Sequence, residues 1–134
     1  MLGDVLGEER GKIIGRRVLP SAGGTPKVEV SFQTTSKVLG IDARNFGTYW
    51  SEMRADGFLY GEGQGILMTT GGDSAAWVGQ GIGKIRSDGG VSWRGAVYYQ
   101  TTAPKLSRLN GIACVFEYEA DAGDNAQSKI WEWK

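Results

Sequence analysis

Clusters of turn-forming residues recur at fairly even spacing along the chain, and they constrain its fold more than any other feature of the sequence. The clusters lie at 20–24, 40–42, 55–57, 71–73, 88–90, 102–104 and 121–124. The segments between them are rich in Val, Ile, Thr, Trp, Tyr and Phe and alternate in polarity, as β-strands do. Apart from one turn expected near residues 105–110, no window has helical periodicity. The pattern predicts strands at about 7–19, 27–39, 43–54, 58–70, 74–86, 91–102, 106–119 and 126–134.

The composition agrees with one globular all-β domain spanning residues 1–134. The chain has 22 Gly but only 3 Pro, whereas a disordered or collagen-like chain would have more proline or a strict repeat. Its hydrophobic fraction of 40% and charged fraction of 22% are typical of globular proteins. A chain of this length buries enough surface to fold without disulfide bonds, and its 1 Cys allows no intramolecular disulfide.

The parity of the hairpin loops predicts which residues share a face of the central strands. We take 71–73 as an odd-numbered loop, and 55–57 and 88–90 as three-residue loops with a late glycine. The pairs predicted across these hairpins are Gly61–Gly83, Gly63–Gly81, Gly65–Gly79, Tyr49–Gly63 and Tyr99–Gly79.

This parity gives the sheet one apolar, glycine-rich face and one polar face. The apolar face also collects Leu59, Leu67, Trp77, Trp93 and Val97, with Gly11, Ile13 and Gly15 in the first strand. Such a sheet, with no helix to cover it, must close on itself or fold over. We therefore predict a closed antiparallel eight-stranded up-and-down barrel in which the last strand pairs with the first and removes the exposed edges. A β-sandwich is the alternative.

Inward glycines leave two interpretations of the barrel interior open. An eight-stranded barrel is just wide enough to be filled by side chains or to hold one small ligand. Glycine can serve strand coiling while aromatic rings fill the space, or it can leave a cavity suited to a small molecule. The residues predicted to line such a cavity are Tyr49, Leu59, Gly63, Leu67, Trp77, Gly81, Trp93, Val97 and Tyr99.

Several classes of function are disfavoured by composition. The chain has no His, which removes His-dependent triads and the commonest metal ligand. Fifteen basic residues balance fifteen acidic ones, so we expect no nucleic-acid partner. The carboxylates do not cluster as metal ligands do, so we expect no metal and no cofactor. The glycine runs 61–65 and 79–83 lie inside strands, not before a helix, and are poor phosphate-binding loops.

The segment 106–119 has two possible orientations. In the favoured one, Ile112, Cys114, Phe116 and Tyr118 point inward, so that Cys114 is a buried inert thiol and Glu117 and Glu119 are external. In the other, Glu117 enters the barrel and becomes a candidate general acid or base with a raised pKa. Asn110 is either a polar anchor or a turn residue. No catalytic residue is identified.

The chain also carries signals about location and assembly. Residues 1–10 lack the basic start and apolar run of a signal peptide, and no run approaches the ~20 apolar residues of a membrane helix. We expect a cytoplasmic protein without a membrane partner. A net charge of zero permits a homo-oligomer without requiring one.

The runs Gly-Glu-Gly at 61–63, Ala-Ala-Trp-Val-Gly at 75–79, Trp-Arg-Gly at 93–95, Leu-Asn-Gly at 109–111 and Phe-Glu-Tyr-Glu at 116–119 carry a resemblance. In this pattern the chain resembles small uncharacterised bacterial proteins with allene-oxide-cyclase-like barrels. That resemblance implies a calycin-like barrel, often oligomeric, with an apolar cavity. The plant cyclases use such a cavity to fold an unstable fatty-acid epoxide for ring closure, but their catalytic positions do not map onto residues of this chain.

These observations lead to three expectations of function. The first is a barrel that binds a small, largely apolar molecule without a cofactor, driven by burial of apolar surface. The second is a cofactor-independent isomerase or cyclase acting on a lipid-like substrate, in which the barrel holds the reactive conformation. The third is a packed structural or partner-binding barrel.

Overall fold

A computed structural model describes residues 1–134 and shows eight antiparallel strands that close into a barrel in chain order. Each strand pairs with its neighbours in sequence, and the last strand pairs with the first. The predicted closed up-and-down barrel is therefore confirmed, and the sandwich alternative is wrong. The strands are β1 Leu2–Val18, β2 Lys27–Val38, β3 Ile41–Met53, β4 Leu59–Thr69, β5 Ser74–Ile85, β6 Val91–Gln100, β7 Cys114–Ala120 and β8 Asn125–Trp133.

The structure corrects the predicted strand boundaries at two places. β1 begins at Leu2 rather than at residue 7, because Leu2 pairs with Trp133 near the end of β8. The segment 106–119 is not one strand, because Pro104–Leu109 forms a 3-10 helix before β7. Leu106 and Leu109 of this helix are both 0% exposed. Residues three apart lie on one side of a 3-10 helix, so both leucines cover the same end of the barrel.

The register of two hairpins differs from the prediction by two residues. Gly63 pairs with Gly79 rather than Gly81, and Tyr99 pairs with Trp77 rather than Gly79. The other two predicted glycine pairs shift in the same way, so that the observed pairs are Gly61–Gly81 and Gly65–Trp77.

The cause of this shift is the position of the left-handed glycine within each loop. Gly72 and Gly89 have φ angles of 95° and 89°, and each is the third loop residue, so the loops are 70–72 and 87–89. Loop 55–57 has its left-handed glycine at the predicted place, and the Tyr49–Gly63 pair is confirmed. A shift of two residues leaves every side chain of these strands on its predicted face.

One inward position in β1 was predicted wrongly. The β1–β2 ladder has a bulge at Ile14, because Ile13 pairs with Phe32 and Gly15 with Ser31. The extra residue moves Gly15 to the outer face, where a Cβ atom would meet nothing within 4 Å.

Buried apolar side chains form two clusters, one toward each end of the barrel. The cluster at the helix-capped end includes Leu6, Leu67, Leu106 and Leu109. The cluster at the opposite end includes Ile13, Val30, Phe32, Trp93 and Tyr118. The middle of the lumen lies between these two clusters. No helix of the structure combines the length and apolar character that spanning a membrane takes.

Candidate functional site in the barrel lumen

The middle of the lumen contains a cavity of about 90 Å³. One wall is the backbone of β4 and β5 at four glycines, Gly61, Gly63, Gly79 and Gly81. Because these residues have no side chain, their backbone atoms form this wall directly, and the surface of the cavity as a whole is largely apolar. Most of the remaining surface is aromatic and comes from Phe32, Tyr49, Trp77, Trp93, Tyr99, Phe116 and Tyr118.

Seven of the nine predicted lining residues border this cavity: Tyr49, Gly63, Trp77, Gly81, Trp93, Val97 and Tyr99. Leu59 and Leu67 do not. Leu67 is 1% exposed in the cluster at the helix-capped end, and Leu59 packs against the cluster at the opposite end. Both residues lie on the inward face as predicted. Parity fixes the face of a strand residue but not its height along the barrel axis, which is why these two were placed wrongly.

The inward glycines fall into two groups: some make room for aromatic rings, and others border the cavity. The rings of Trp77 and Phe32 pack where a side chain at Gly47 would lie, and Trp77 also covers Gly65. At these positions glycine makes room for aromatic packing. Gly63, Gly79 and Gly81 border the cavity instead. The division shows that the interior is only partly filled by its aromatic rings.

A buried carboxyl group, Glu9, also borders the cavity and was not predicted as a site residue. Only 5% of the Glu9 surface is exposed. Ser36 Oγ and Asn45 Nδ2 each donate a hydrogen bond of 2.8 Å to Glu9 Oε2. Burial raises the pKa of the Glu9 carboxyl, and these two hydrogen bonds offset only part of that effect. The lumen thus combines a largely apolar surface with a buried acidic group.

The orientation of the Asn45 amide follows from its contact with Trp77. Trp77 Nε1 donates a hydrogen bond of 2.7 Å to Asn45 Oδ1. An indole N–H can only donate, so the amide oxygen faces Trp77 and the amide nitrogen faces Glu9. The resulting network links Ser36 to Glu9, Asn45 and Trp77, and the last three border the cavity.

Glu9 belongs to a row of polar side chains that crosses four neighbouring strands. In the strand register Glu9 pairs with Ser36 on one side and Ser128 on the other, and Ser128 pairs with Tyr118. Ser128 and Tyr118 border the cavity, and the Tyr118 hydroxyl is buried without a hydrogen-bond partner. In an eight-stranded ring, β8 and β1 lie across from β4 and β5. The polar row therefore faces the glycine wall.

A sequence signal for these polar residues does exist. Glu9 lies two and four positions before Gly11 and Ile13, and Asn45 stands in the same relation to Gly47 and Tyr49. Parity therefore places both on the apolar face. A polar side chain on a face that must be buried needs partners inside the protein, which marks it as a candidate site residue.

The other candidates for chemistry lie away from the cavity or are inert. Phe116 and Tyr118 face the lumen, as in the favoured orientation of β7, so Glu117 is external and lies 3.8 Å from Arg94. The alternative orientation is wrong.

Cys114 and Asn110 also lie outside the candidate site. Cys114 is 0% exposed, and burial raises the pKa of its thiol to about 11. Asn110 binds the backbone of Thr101 through its side chain and anchors the loop that follows β6.

No metal centre is apparent among the described side chains. No group of three or more His, Cys, Asp or Glu residues lies close enough together to hold an ion. The polar groups on the cavity, a carboxyl, an amide and hydroxyls, are suited to hydrogen bonding with an organic molecule.

No family model matches this chain, and no curated protein matches it. Solved structures do. A conserved protein of unknown function from Rhodopseudomonas palustris is 14% identical, with 98% of this chain and 97% of that one covered and a TM-score of 0.81. A β-barrel-like protein from Acinetobacter baumannii is 14% identical, with 100% and 96% covered and a TM-score of 0.83.

An enzyme from Penicillium herquei is also similar in structure. It is 14% identical, with 96% of this chain and 92% of that one covered and a TM-score of 0.68. At these identities the likeness shows the fold alone. None of the three proteins is described as allene-oxide-cyclase-like, so that resemblance stays a prediction. In fold, the chain is similar to solved β-barrel proteins, two of which have no stated function.

Proposed function

We propose that the protein binds a small, largely apolar molecule in its lumen without a cofactor. The observation that carries this proposal is the cavity of about 90 Å³ between the glycine wall and the aromatic rings. A void lined by apolar groups favours an apolar occupant, because water there finds few hydrogen-bond partners. Burial of the occupant is worth about 25 cal/mol per Å² of apolar surface removed from water.

The size of the cavity limits the occupant. A cavity of roughly 150 Å³ lined by apolar side chains is known to take up benzene, and this one is smaller. The ligand is therefore a molecule of about one small ring, or a small part of a larger molecule. A whole fatty-acid chain does not fit without rearrangement of the barrel.

Methylenecyclobutane, an apolar four-membered ring smaller than benzene, is a suitable probe of this proposal. We expect saturable binding that shifts the Trp77 indole N–H signal in ¹⁵N-correlated NMR spectra and changes Trp emission. Gly79→Ala adds a methyl group at the glycine wall and should weaken binding, whereas Gly15→Ala adds the same group on the outer face, in open space, and should not. Equal affinities in both variants would contradict the cavity as the binding site.

The natural occupant can be sought directly. Native mass spectrometry of protein purified from its own host should reveal a co-purifying small molecule. The mass of that molecule would then define the panel of compounds for titration.

A cofactor-independent isomerase or cyclase is the second candidate function. The observation that favours it is the buried carboxyl group of Glu9 at the cavity, since acids with perturbed pKa values are common in active sites. The resemblance to allene-oxide-cyclase-like barrels and the similarity to a fungal enzyme point the same way. The small cavity makes binding the better supported proposal. A cytoplasmic location and the absence of nucleic-acid and membrane partners stay predictions, and the oligomeric state stays open.

A further inference from the structure

The hydrogen bonds around Glu9 determine which of its oxygens is free. The Trp77 indole fixes the Asn45 amide so that Nδ2 donates to Glu9 Oε2, and Ser36 Oγ donates to the same atom. Oε2 therefore accepts two hydrogen bonds. Glu9 Oε1 makes no hydrogen bond within the chain, although the residue borders the cavity. If the carboxyl group holds a proton, the proton belongs on Oε1.

The surroundings of Glu9 favour that neutral form. An ionised carboxylate is expensive to bury unless a cation accompanies it, and the usual outcome is neutralisation. No lysine or arginine borders the cavity, and the other carboxylate there, Glu62, has an exposed side chain. The titratable groups that face Glu9 from the packed strands are Tyr99 and Tyr118, whose pKa values are raised by burial. Both tyrosines are therefore neutral as well.

A second polar atom at the cavity also lacks a partner. The Tyr118 hydroxyl is buried, borders the cavity and makes no hydrogen bond. Buried polar atoms without partners are rare in folded proteins. Glu9 Oε1, which makes no hydrogen bond within the chain, and Tyr118 Oη lie on one polar row, so both atoms are available to a molecule bound in the cavity.

We propose that Glu9, as a neutral carboxylic acid, donates a hydrogen bond from Oε1 to the ligand, so that the lumen selects small apolar molecules carrying an uncharged acceptor such as a ketone or an ether. The proposal rests on the proposed binding function and specifies its ligand class. A carboxylate ligand is excluded, because no cation is present at the cavity to offset its charge.

Two isosteric probes test this selectivity. Cyclobutanone and methylenecyclobutane have the same ring and nearly the same shape, but only the ketone accepts a hydrogen bond. Their dissociation constants can be measured by titration of the ¹⁵N-labelled protein. The ratio of the two constants, compared between variants, cancels the different hydration of the free probes.

Two substitutions at one position separate the donor from the shape of the side chain. Glu9→Gln keeps an oxygen for Ser36 and Asn45 and turns an amide N–H₂ toward the cavity, so it should preserve the preference for the ketone. Glu9→Met keeps a similar length without a donor. We expect the preference to fall about fivefold to tenfold in Glu9→Met, the effect of one net hydrogen bond. Correlation spectra of each variant verify that the barrel is folded.

The pH dependence provides an independent measurement. Ionisation of Glu9 removes the donor, so in the natural protein the preference for cyclobutanone should decline as the pH rises through the range in which Glu9 titrates, while Glu9→Gln should show no such decline. An equal preference in the natural protein and Glu9→Met overturns the proposed role of Glu9 but leaves the binding function intact. Failure of both probes to bind the natural protein contradicts the binding function itself, and this proposal with it.

Discussion

Gly65 lies directly opposite Trp77 across the β4–β5 ladder, and the Trp77 indole occupies the space that a side chain at Gly65 would need. The same indole donates its N–H to Asn45, which in turn binds Glu9. The absence of a side chain at Gly65 therefore sets the position of the ring that orients the polar network. A change at Gly65 in β4 should therefore also disturb the hydrogen bonds of Asn45 and Glu9 at the cavity.

Gly65→Ala should destabilise the protein, because the added methyl group overlaps the Trp77 ring and the Phe46 carbonyl oxygen. The expected loss in free energy of unfolding is about 1–3 kcal/mol or more, measured by urea denaturation. The matched control is Gly15→Ala, which meets nothing within 4 Å and should be neutral or stabilising by up to about 1 kcal/mol. Similar stabilities for the two variants would show that the packing of the Trp77 ring does not require a glycine at position 65.

Ser36→Ala removes one of the two donors to Glu9 Oε2. The loss leaves a buried acceptor less satisfied, so we expect a cost of about 1–3 kcal/mol in the free energy of unfolding. Ser31→Ala is the control, because Ser31 is on the same strand but on the outer face, where it bonds Thr48. That change should cost about 0.5 kcal/mol or less. A larger loss in Ser31→Ala than in Ser36→Ala would argue against an important role for the Glu9 network.

The stability of the natural protein should decrease with rising pH through the range in which Glu9 titrates. The pKa of Glu9 is raised on folding from its ordinary value of 4.5, so the folded state holds a proton that the unfolded state has lost. Stability is therefore full below the ordinary value and falls as the pH rises toward the folded-state pKa. The loss is at most about 1.4 kcal/mol for each pH unit between the unfolded-state and folded-state pKa values. Urea denaturation of the natural protein and Glu9→Gln between about pH 5 and pH 8 measures this difference.

Three aspartates whose pKa values are lowered on folding do not mask that trend. Asp88, Asp121 and Asp124 have pKa values lowered by hydrogen bonds, so their contribution changes only below the ordinary carboxyl range. The free energies of the natural protein and Glu9→Gln should converge or cross as the pH rises. Parallel curves over the whole range would mean that Glu9 does not take up its proton on folding.

Leu106→Ala should weaken the helix-capped end of the barrel. Leu106 is 0% exposed within the cluster there, and truncation of a fully buried leucine costs about 2–5 kcal/mol. Leu2→Ala, at a residue that is 54% exposed, should change the free energy of unfolding by about 0.5 kcal/mol or less. A small effect at Leu106 would indicate that the 3-10 helix is not part of the cooperative core.

The central hairpins show which structural features the local sequence pattern predicts: it gave the face of each residue there correctly but not all of the residue pairs. The two-residue alternation predicted the inward face of β4, β5 and β6, because the direction of a side chain depends only on its neighbours along the strand. The predicted pairs failed in the two loops where either of two adjacent glycines could take the left-handed position. Gly72 and Gly89 take that position, and the choice shifts each ladder by two residues.

The sequence by itself determined the number of strands and the inward face of the central ones, because alternation and turn residues act over a few positions, and it favoured a closed sheet. Only the tertiary structure decided that Glu9 and Asn45 meet, with Trp77 beside them, across from the glycine wall. These residues lie on strands far apart in the chain, and their contact depends on the register and height that each strand has in the closed barrel. Leu59 and Leu67 illustrate the same limit, since the right face at the wrong height leaves them outside the cavity.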